Sequence, residues 1–435
     1  MAEILRVGIA GVGVVGASVV RLLAQQDEAL RARTGRKIVV TAMSARDKAK
    51  DRGFDASAIK FVDDPVALAA SEDIDLFVEL IGGDEGPARA AVEAALKHGK
   101  GVVTANKALL AKHGLALAAL AEEKRVPLAY EASVAGGIPI VKTLREGLAG
   151  NSINRVYGIL NGTCNYILSK METEEMPFEV CLREAQRLGY AEADPTFDIG
   201  GFDTAHKLAI LASLAFGTEI DADAISVEGI EHVTLADLKA ADELGYRIKL
   251  LGVAQRTPHG VEQRVHPTMV RKTTSIAQVM GVTNAVTIDA DAVHELTLVG
   301  PGAGGNATAS AVVADIADIA RGVRSRPLGL PRAALSEVKR VEMQRHEGGY
   351  YIRLSVYDKP GAFAGIATRM AERGISLESI VQRGRTGGAD KPGAPVPVVL
   401  ITYATTEKLV REALDAIVAD GYVAERPQSI RIERE

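Results

Sequence analysis

The chain has 435 residues, 47% hydrophobic and 25% charged, with a formal net charge of -5, no tryptophan and aromatics at only 4%; this is the composition of a folded multidomain protein, with neither the basic field nor the stacking platforms that nucleic acid requires. Its apolar runs, such as LALAALA around Leu117, fall well short of the roughly 20 residues of a membrane helix. Strand-like sequence from Ile4 leaves no room for a signal peptide, and two cysteines, Cys164 and Cys181, cannot build a disulfide framework, so a cytoplasmic protein with reduced thiols is expected.

From Ile4, short β-rich runs (LRVGIAG, KIVVTAM, DLFVELIG, GVVTANK, PLAYEAS) alternate with stretches of helical period. That alternation predicts an α/β unit over 1–150, a doubly wound parallel sheet of the Rossmann type. Near Gly150 the rhythm breaks. NSINRVYGILNGTCNYILSK reads as a strand turning into a helix, and opens a second, mixed α/β unit over 151–321 with longer helices and less regular strands. Its last segment, TASAVVADIADIARG, predicts a small-residue helix suited to close packing, which is expected to return to the first unit. Gly322 to Arg332, with two prolines, reads as part of a linker over 322–347. From there YIRLSVY, DKPG, AFAGIATRMAERG, ISLESIVQRG, PVVLITYA and KLVREALDAI give the order of a ferredoxin-like βαββαβ unit over 348–435, its last strand near Ser429 to Ile432.

Gly11-Val12-Gly13-Val14-Val15-Gly16 stands directly between a strand and an amphipathic helix. In that context the glycines allow a tight turn and let the backbone approach a pyrophosphate resting on the helix N-terminus. The second strand ends in TAMSARDK. Instead of the acidic residue that would hold the ribose hydroxyl of NAD, it offers Ser44 and Arg46, donors for a 2′-phosphate, so NADP is favoured, with Asp47 leaving NAD open.

AEADPTFDIGGFDTAHK crowds Glu192, Asp194, Asp198 and Asp203 against Lys207. If KLAILASLAFG continues a helix, Asp203 and Lys207 are spaced i, i+4 on one face, with Asp203 in the first turn where the helix dipole favours it. Taken alone, this pattern reads first as a capped helix with a surface ion pair, worth under about 1 kcal/mol. Of the histidines, none shows metal-ligand spacing; His206 is expected to face away from Asp203 and Lys207, and His98 and His113 to lie near helix C-termini.

The same string closely resembles the signature of homoserine dehydrogenases, as do NGTCNYIL, VELIGG, TANK and EASVAGGIPI, in the family's order from about Leu5 to Ile319. The resemblance implies NAD(P)H-dependent reduction of L-aspartate 4-semialdehyde to L-homoserine by a homodimer or homotetramer, in the form without a fused kinase. It makes Lys207 the proton donor and Lys107 a second active-site lysine that also contacts the cofactor, with Asp203 both catalytic and substrate-binding and Glu192 and Asp198 binding or orienting substrate. It places Gly302 and Gly304 in a second glycine-rich stretch near the cofactor. Glu131, Val134, Gly136 and Ile138 would bind a monovalent cation, sodium in the family's manner, mainly through backbone carbonyls. The C-terminal unit resembles ACT domains, with Asp358 and Gly361 at the turn where an effector would bind, and threonine as the implied feedback inhibitor. Two rivals are a dehydrogenase for another small amino acid or semialdehyde, and a catalytically silent sensor; the set Glu192, Asp203, Lys207 and Lys107 speaks against the latter.

Overall fold

A computed structural model describes residues 3–338, 343, 346–382 and 394–433. Strands β1 (Ile4–Ala10), β2 (Lys37–Ser44), β3 (Lys60–Phe61), β4 (Leu76–Glu79), β5 (Gly101–Thr104) and β6 (Leu128–Ala129) form one sheet in the order β3-β2-β1-β4-β5-β6. Every pairing is parallel, and Val7, Ile9, Phe77, Val78, Val102 and Val103 are fully buried, as a sheet covered on both faces demands. The chain order reverses between β1 and β4, which opens a crevice at the carboxyl ends of the strands, where open α/β sheets bind ligands.

The middle unit differs from the sequence reading. Its strands are long and regular: β7 (Ile153–Ile159), β8 (Ser226–Val227), β9 (Tyr246–Thr257), β10 (Gly260–Arg271), β11 (Thr283–Ala290) and β12 (His294–Pro301). Four antiparallel pairings build β12-β11-β7-β9-β10. Buried Lys249, Glu262, Arg264 and His266 interrupt the apolar alternation that would have announced β9 and β10. Pro267, which cannot donate to a ladder, falls where the outer neighbour of β10 changes from β8 to the last strand of the chain.

The C-terminal unit runs β13 (Glu347–Tyr357), helix Ala362–Ala371, β14 (Leu377–Gln382), β15 (Pro395–Thr402), the short β16 (Thr405–Thr406), helix Glu407–Ala419 and β17 (Gln428–Ile432). Its sheet order, β17-β13-β15-β14, is ferredoxin-like. The end of the strand expected in ISLESIVQRG, at 383–384, lies outside the described residues, as do 339–342 and 344–345 of the expected linker. The described part of that linker is docked, with Leu328 buried and Pro327 accepting the Tyr130 hydroxyl. Parallel pairing of Thr268 with Arg431 and Met269 with Ile432 joins the C-terminal sheet to β10.

The helix Gly305–Ala320 shares its core with the first unit, where Ala309, Val312 and Ile316 pack with Val19, Val20 and Leu23 of the helix Val14–Gln25. Gly305 allows this approach: a Cβ there would meet Val14 and Ser18 side chains at 2.9 Å. His98 caps the helix Pro87–Lys97, its ring bonded to the Ala94 carbonyl at 2.8 Å. His113 instead sits well inside the helix Lys107–Lys124, facing Glu85 at 2.9 Å, because that helix runs on to Lys124. Among the described residues no helix is long and apolar enough to cross a membrane.

Candidate active site

Gly201, at φ 87°, starts the helix Phe202–Phe216, and Gly217, at φ 66°, ends it. Asp203, in the first turn, and Lys207, one turn further on, are both buried. The Lys207 ammonium donates to Asp203 Oδ2 and to the Leu160 carbonyl, each at 2.7 Å. Lys107 reaches the other oxygen of Asp203 from a different unit, at 3.0 Å. It is the first residue of the helix Lys107–Lys124, whose N-cap is Asn106; a cation there opposes the helix dipole, and the Asp203 charge offsets it. Burial alone would raise the Asp203 pKa, but Lys207 and Lys107 overcome it and hold the carboxyl well below its ordinary range.

Asn161 ties this cluster together, a residue that sequence reasoning passed over. Its Nδ2 donates to Asp203 Oδ2 at 2.9 Å and to Asp198 Oδ1 at 2.8 Å. Its Oδ1 accepts from Cys164 N and caps the helix Gly162–Glu174. An asparagine before a helix is fully explained by the cap, which hid its second task. Burial, helped by the nearby Asp203 charge, pushes the Asp198 carboxyl up, against the pull of Asn161. The structure therefore gathers Lys107, Asp198, Asp203 and Lys207. It does not gather Glu192: that residue is exposed, held by Gln186 through its backbone carbonyl at 3.1 Å, and its carboxylate has no charged partner among the described residues. His206 is closer to the cluster than expected. Its ring packs edge-on against Phe197 at 5.3 Å, and burial together with the Lys107 charge lowers its pKa.

The glycine-rich turn borders a cleft of about 520 Å³ lined by Gly11, Val12, Gly13, Ser44, Arg46, Lys50 and Arg52. Gly11 has φ 93°, and a Cβ on it would lie 2.3 Å from the Leu80 carbonyl; one on Gly16 would lie 2.3 Å from the Gly11 carbonyl. Gly13 has nothing within 4 Å and caps the helix that carries Val14, Val15 and Gly16. Arg46 is exposed at the rim, whereas Ser44 is buried and donates its hydroxyl to the Asp63 carbonyl at 3.3 Å. Arg52, missed in the sequence, lies across the turn with Nε donating to the Val12 carbonyl at 3.0 Å. Below, buried Glu79 takes the N–H groups of Ile81 and Gly82 at 2.7 and 3.0 Å, fixing the end of β4.

The second glycine stretch and the loop at Glu131 meet. A Cβ on Gly136, at φ 48°, would lie 2.5 Å from the Gly302 carbonyl, and Gly137 N donates to the Pro301 carbonyl at 3.0 Å. Gly304, at φ 117°, caps the helix Gly305–Ala320. Val134 and Ile138 are buried in the same loop. The Glu131 carboxylate is already used, accepting from Val141 N and Lys142 N at 2.8 Å each. Burial and the neighbouring Asp315 push its pKa up to about 7. In the C-terminal unit Gly361 has φ 87° and caps the helix Ala362–Ala371, with Asp358 exposed in the same turn.

Family models for the homoserine dehydrogenase NAD binding domain, for homoserine dehydrogenase itself and for the ACT domain match residues 11–131, 139–317 and 350–420. A homoserine dehydrogenase of Pseudomonas aeruginosa is 45% identical over 435 residues, covering 99% of each chain. The chain belongs to the homoserine dehydrogenase family. Its relative from Neisseria gonorrhoeae is 44% identical, covering 98% of each chain. Among solved structures, a homoserine dehydrogenase from Thiobacillus denitrificans superposes with a TM-score of 0.93 at 42% identity, covering 99% of this chain and 98% of that one. A hyperthermophilic archaeal homoserine dehydrogenase in complex with NADPH matches 74% of this chain and 100% of its own, with a TM-score of 0.63 and 26% identity. As a homoserine dehydrogenase the chain is an NAD(P)-dependent oxidoreductase with an ACT regulatory domain.

Proposed function

We propose that this homoserine dehydrogenase reduces L-aspartate 4-semialdehyde to L-homoserine, with Lys207 as proton donor. The observation that carries this reading is one buried carboxylate, Asp203, shared between two lysines from different units. When bound, the dinucleotide supplies the hydride. As charge develops on the aldehyde oxygen, the Lys207 ammonium neutralises it and gives up a proton. Lys107 provides a second positive charge, and Asp203 holds both lysines in place. The carboxylates of Asp198 and Asp203 suit the substrate's ammonium group, and Glu192 would join them by movement of its exposed loop. In the reverse direction the Lys207 amine would take up the proton of the homoserine hydroxyl as hydride leaves.

The residues present fit the cofactor, since the space beside Gly11 and Gly16 excludes any side chain and the switch point of the sheet lies there. Gly11 to Gly16 would hold the pyrophosphate, Gly302 and Gly304 would approach from the facing loop, and Arg46 and Ser44 would select NADP over NAD by donating to its 2′-phosphate, Ser44 once its hydroxyl turns from the Asp63 carbonyl. The archaeal relative solved with NADPH supports that preference. A sodium ion at carbonyls of Glu131, Val134, Gly136 and Ile138 agrees with a loop in which Ala135 and Gly136 are both left-handed, at φ 54° and 48°. Glu131 would enter through its carbonyl, because its carboxylate is taken.

The division into 1–150, 151–321, a linker over 322–347 and 348–435, a cytoplasmic location, a homodimer or homotetramer, and threonine inhibition through the turn at Asp358 and Gly361 complete the proposal. The deciding experiment follows oxidation of NADPH and of NADH with aspartate 4-semialdehyde, for the native protein and Lys207→Ala. Turnover that collapses in the variant supports the reading. No turnover by folded, dinucleotide-binding protein ends it.

A further inference from the structure

Several side-chain contacts hold the C-terminal unit to the middle one, the ion pair of Arg155 with Glu433 among them, and two are clasps in which an arginine of the C-terminal unit grips a carboxylate of the middle one. In the first, Asp237 accepts from Arg353 Nε at 2.6 Å and from the Tyr351 hydroxyl at 3.0 Å. The second leads to the active site. Arg431 of β17 is buried and forked, with Nε and Nη2 on Glu407 at 2.8 and 2.7 Å and Nη1 and Nη2 on Glu228 at 2.8 Å each. Glu407 stays inside the C-terminal unit, whereas Glu228 directly follows β8 of the middle unit. Burial works against ionisation of Glu228, yet Arg431, aided by Arg411, keeps its pKa low. The pair lines a cleft of about 620 Å³ between the two units.

The backbone after Glu228 has no slack. Glu228 N donates to the Val265 carbonyl at 2.8 Å, and Ile230 N donates to the Ile199 carbonyl at 2.9 Å. Between them, a Cβ on Gly229 would sit 2.3 Å from that same Ile199 carbonyl. Ile199 and Ile230 are buried. Ile199 follows Asp198, and Gly201, which starts the helix of Asp203 and Lys207, has Val265 and Val227 side chains at 3.0 and 3.1 Å from where its Cβ would be. The turn bearing the substrate carboxylates is thus pressed against a segment whose side-chain anchor lies in another domain.

We propose that Arg431 of the ACT domain is a positioning residue for the turn Thr196–Gly201, acting through Glu228 and the Gly229–Ile230 backbone. It sets where Asp198 and the start of the Asp203–Lys207 helix stand, so displacement of β17 moves the substrate site and leaves the dinucleotide turn in place. The inference rests on the reading of Asp198 and Asp203 as the substrate-binding carboxylates.

The test uses Glu228→Gln and Arg431→Lys in the full chain, with Arg353→Gln as a variant that loosens the other clasp. Steady-state kinetics with aspartate 4-semialdehyde and amide hydrogen exchange over 198–204 are measured together. The expected result is faster exchange over that segment in both clasp variants, KM for the aldehyde raised about fivefold or more, unchanged dinucleotide affinity and a double variant no worse than the worse single one. Arg353→Gln lowers the melting temperature and leaves exchange over 198–204 as in the native protein. Native exchange and native KM in both clasp variants, or a change in only one of the two readouts, would overturn the proposal. If the native protein fails to turn over the aldehyde, the substrate reading has failed, and exchange alone then decides the coupling: unchanged exchange sinks it, faster exchange sustains it.

Discussion

Lys207 and Asp203 are joined at 2.7 Å one turn apart on a buried helix, and the second oxygen of Asp203 belongs to Lys107 at 3.0 Å. The lysine that would deliver a proton is thereby held by an acceptor on its own helix and by the Leu160 carbonyl, both fixed before any substrate arrives. Replacing Lys207 by Ala is expected to lower kcat by about 10²- to 10⁴-fold, the usual contribution of a positioned general acid. Dinucleotide binding, measured by fluorescence of the reduced nicotinamide in a chain without tryptophan, should be unaltered.

Asp203→Asn removes the charge that two ammonium groups share. Leaving Lys207 buried without a counter-charge is expected to cost about 3 kcal/mol of stability. The pH dependence follows from the depressed native pKa of Asp203: its stabilisation is fully present above the ordinary carboxylate value and fades as pH falls toward the native one. Urea unfolding should therefore show a constant gap between native protein and variant down to about pH 4, narrowing below it.

Gly11→Ala and Gly13→Ala should part company. At Gly11 a Cβ would lie 2.3 Å from a carbonyl, in a left-handed backbone, so the variant is expected to lose both melting temperature and dinucleotide affinity. At Gly13 no atom lies within 4 Å and φ is -80°. That variant should melt like the native protein and bind dinucleotide more weakly, since only the bound pyrophosphate would meet the new methyl group.

Arg46→Ala tests the coenzyme preference. Charge-assisted hydrogen bonds are worth about 1.5–3 kcal/mol, so NADPH affinity should fall about 10- to 100-fold while NADH affinity changes little. Equal losses for the two coenzymes would place Arg46 away from the 2′-phosphate.

What the sequence made legible was whatever its own spacing determines. The glycine turn announces itself through the strand before it and the helix after it, and Asp203 and Lys207 through a single helical turn. Asn161 stayed hidden because capping Cys164 already accounted for it, while its amide group reaches Asp198 and Asp203, residues distant in the chain. Arg52 was hidden for the same reason, its partner Val12 lying on the far side of β2. The long strands β9 and β10 escaped because Lys249, Glu262, Arg264 and His266 are buried there through pairings that only the assembled sheet supplies. Nor does any local pattern reveal which way the exposed loop of Glu192 faces.

The parallel pairing of Thr268 and Met269 with Arg431 and Ile432 has a practical consequence. An unpaired strand edge templates association with other chains, and here the last strand of the chain covers part of the outer edge of β10. A protein shortened to end before β13 would lose more than an effector domain. It would present that bare edge, together with the buried Asp237 stripped of Arg353 and Tyr351. Self-association of such a fragment would mimic loss of regulation, so the ACT domain's influence on catalysis is better probed by substitutions at its clasps than by deleting it.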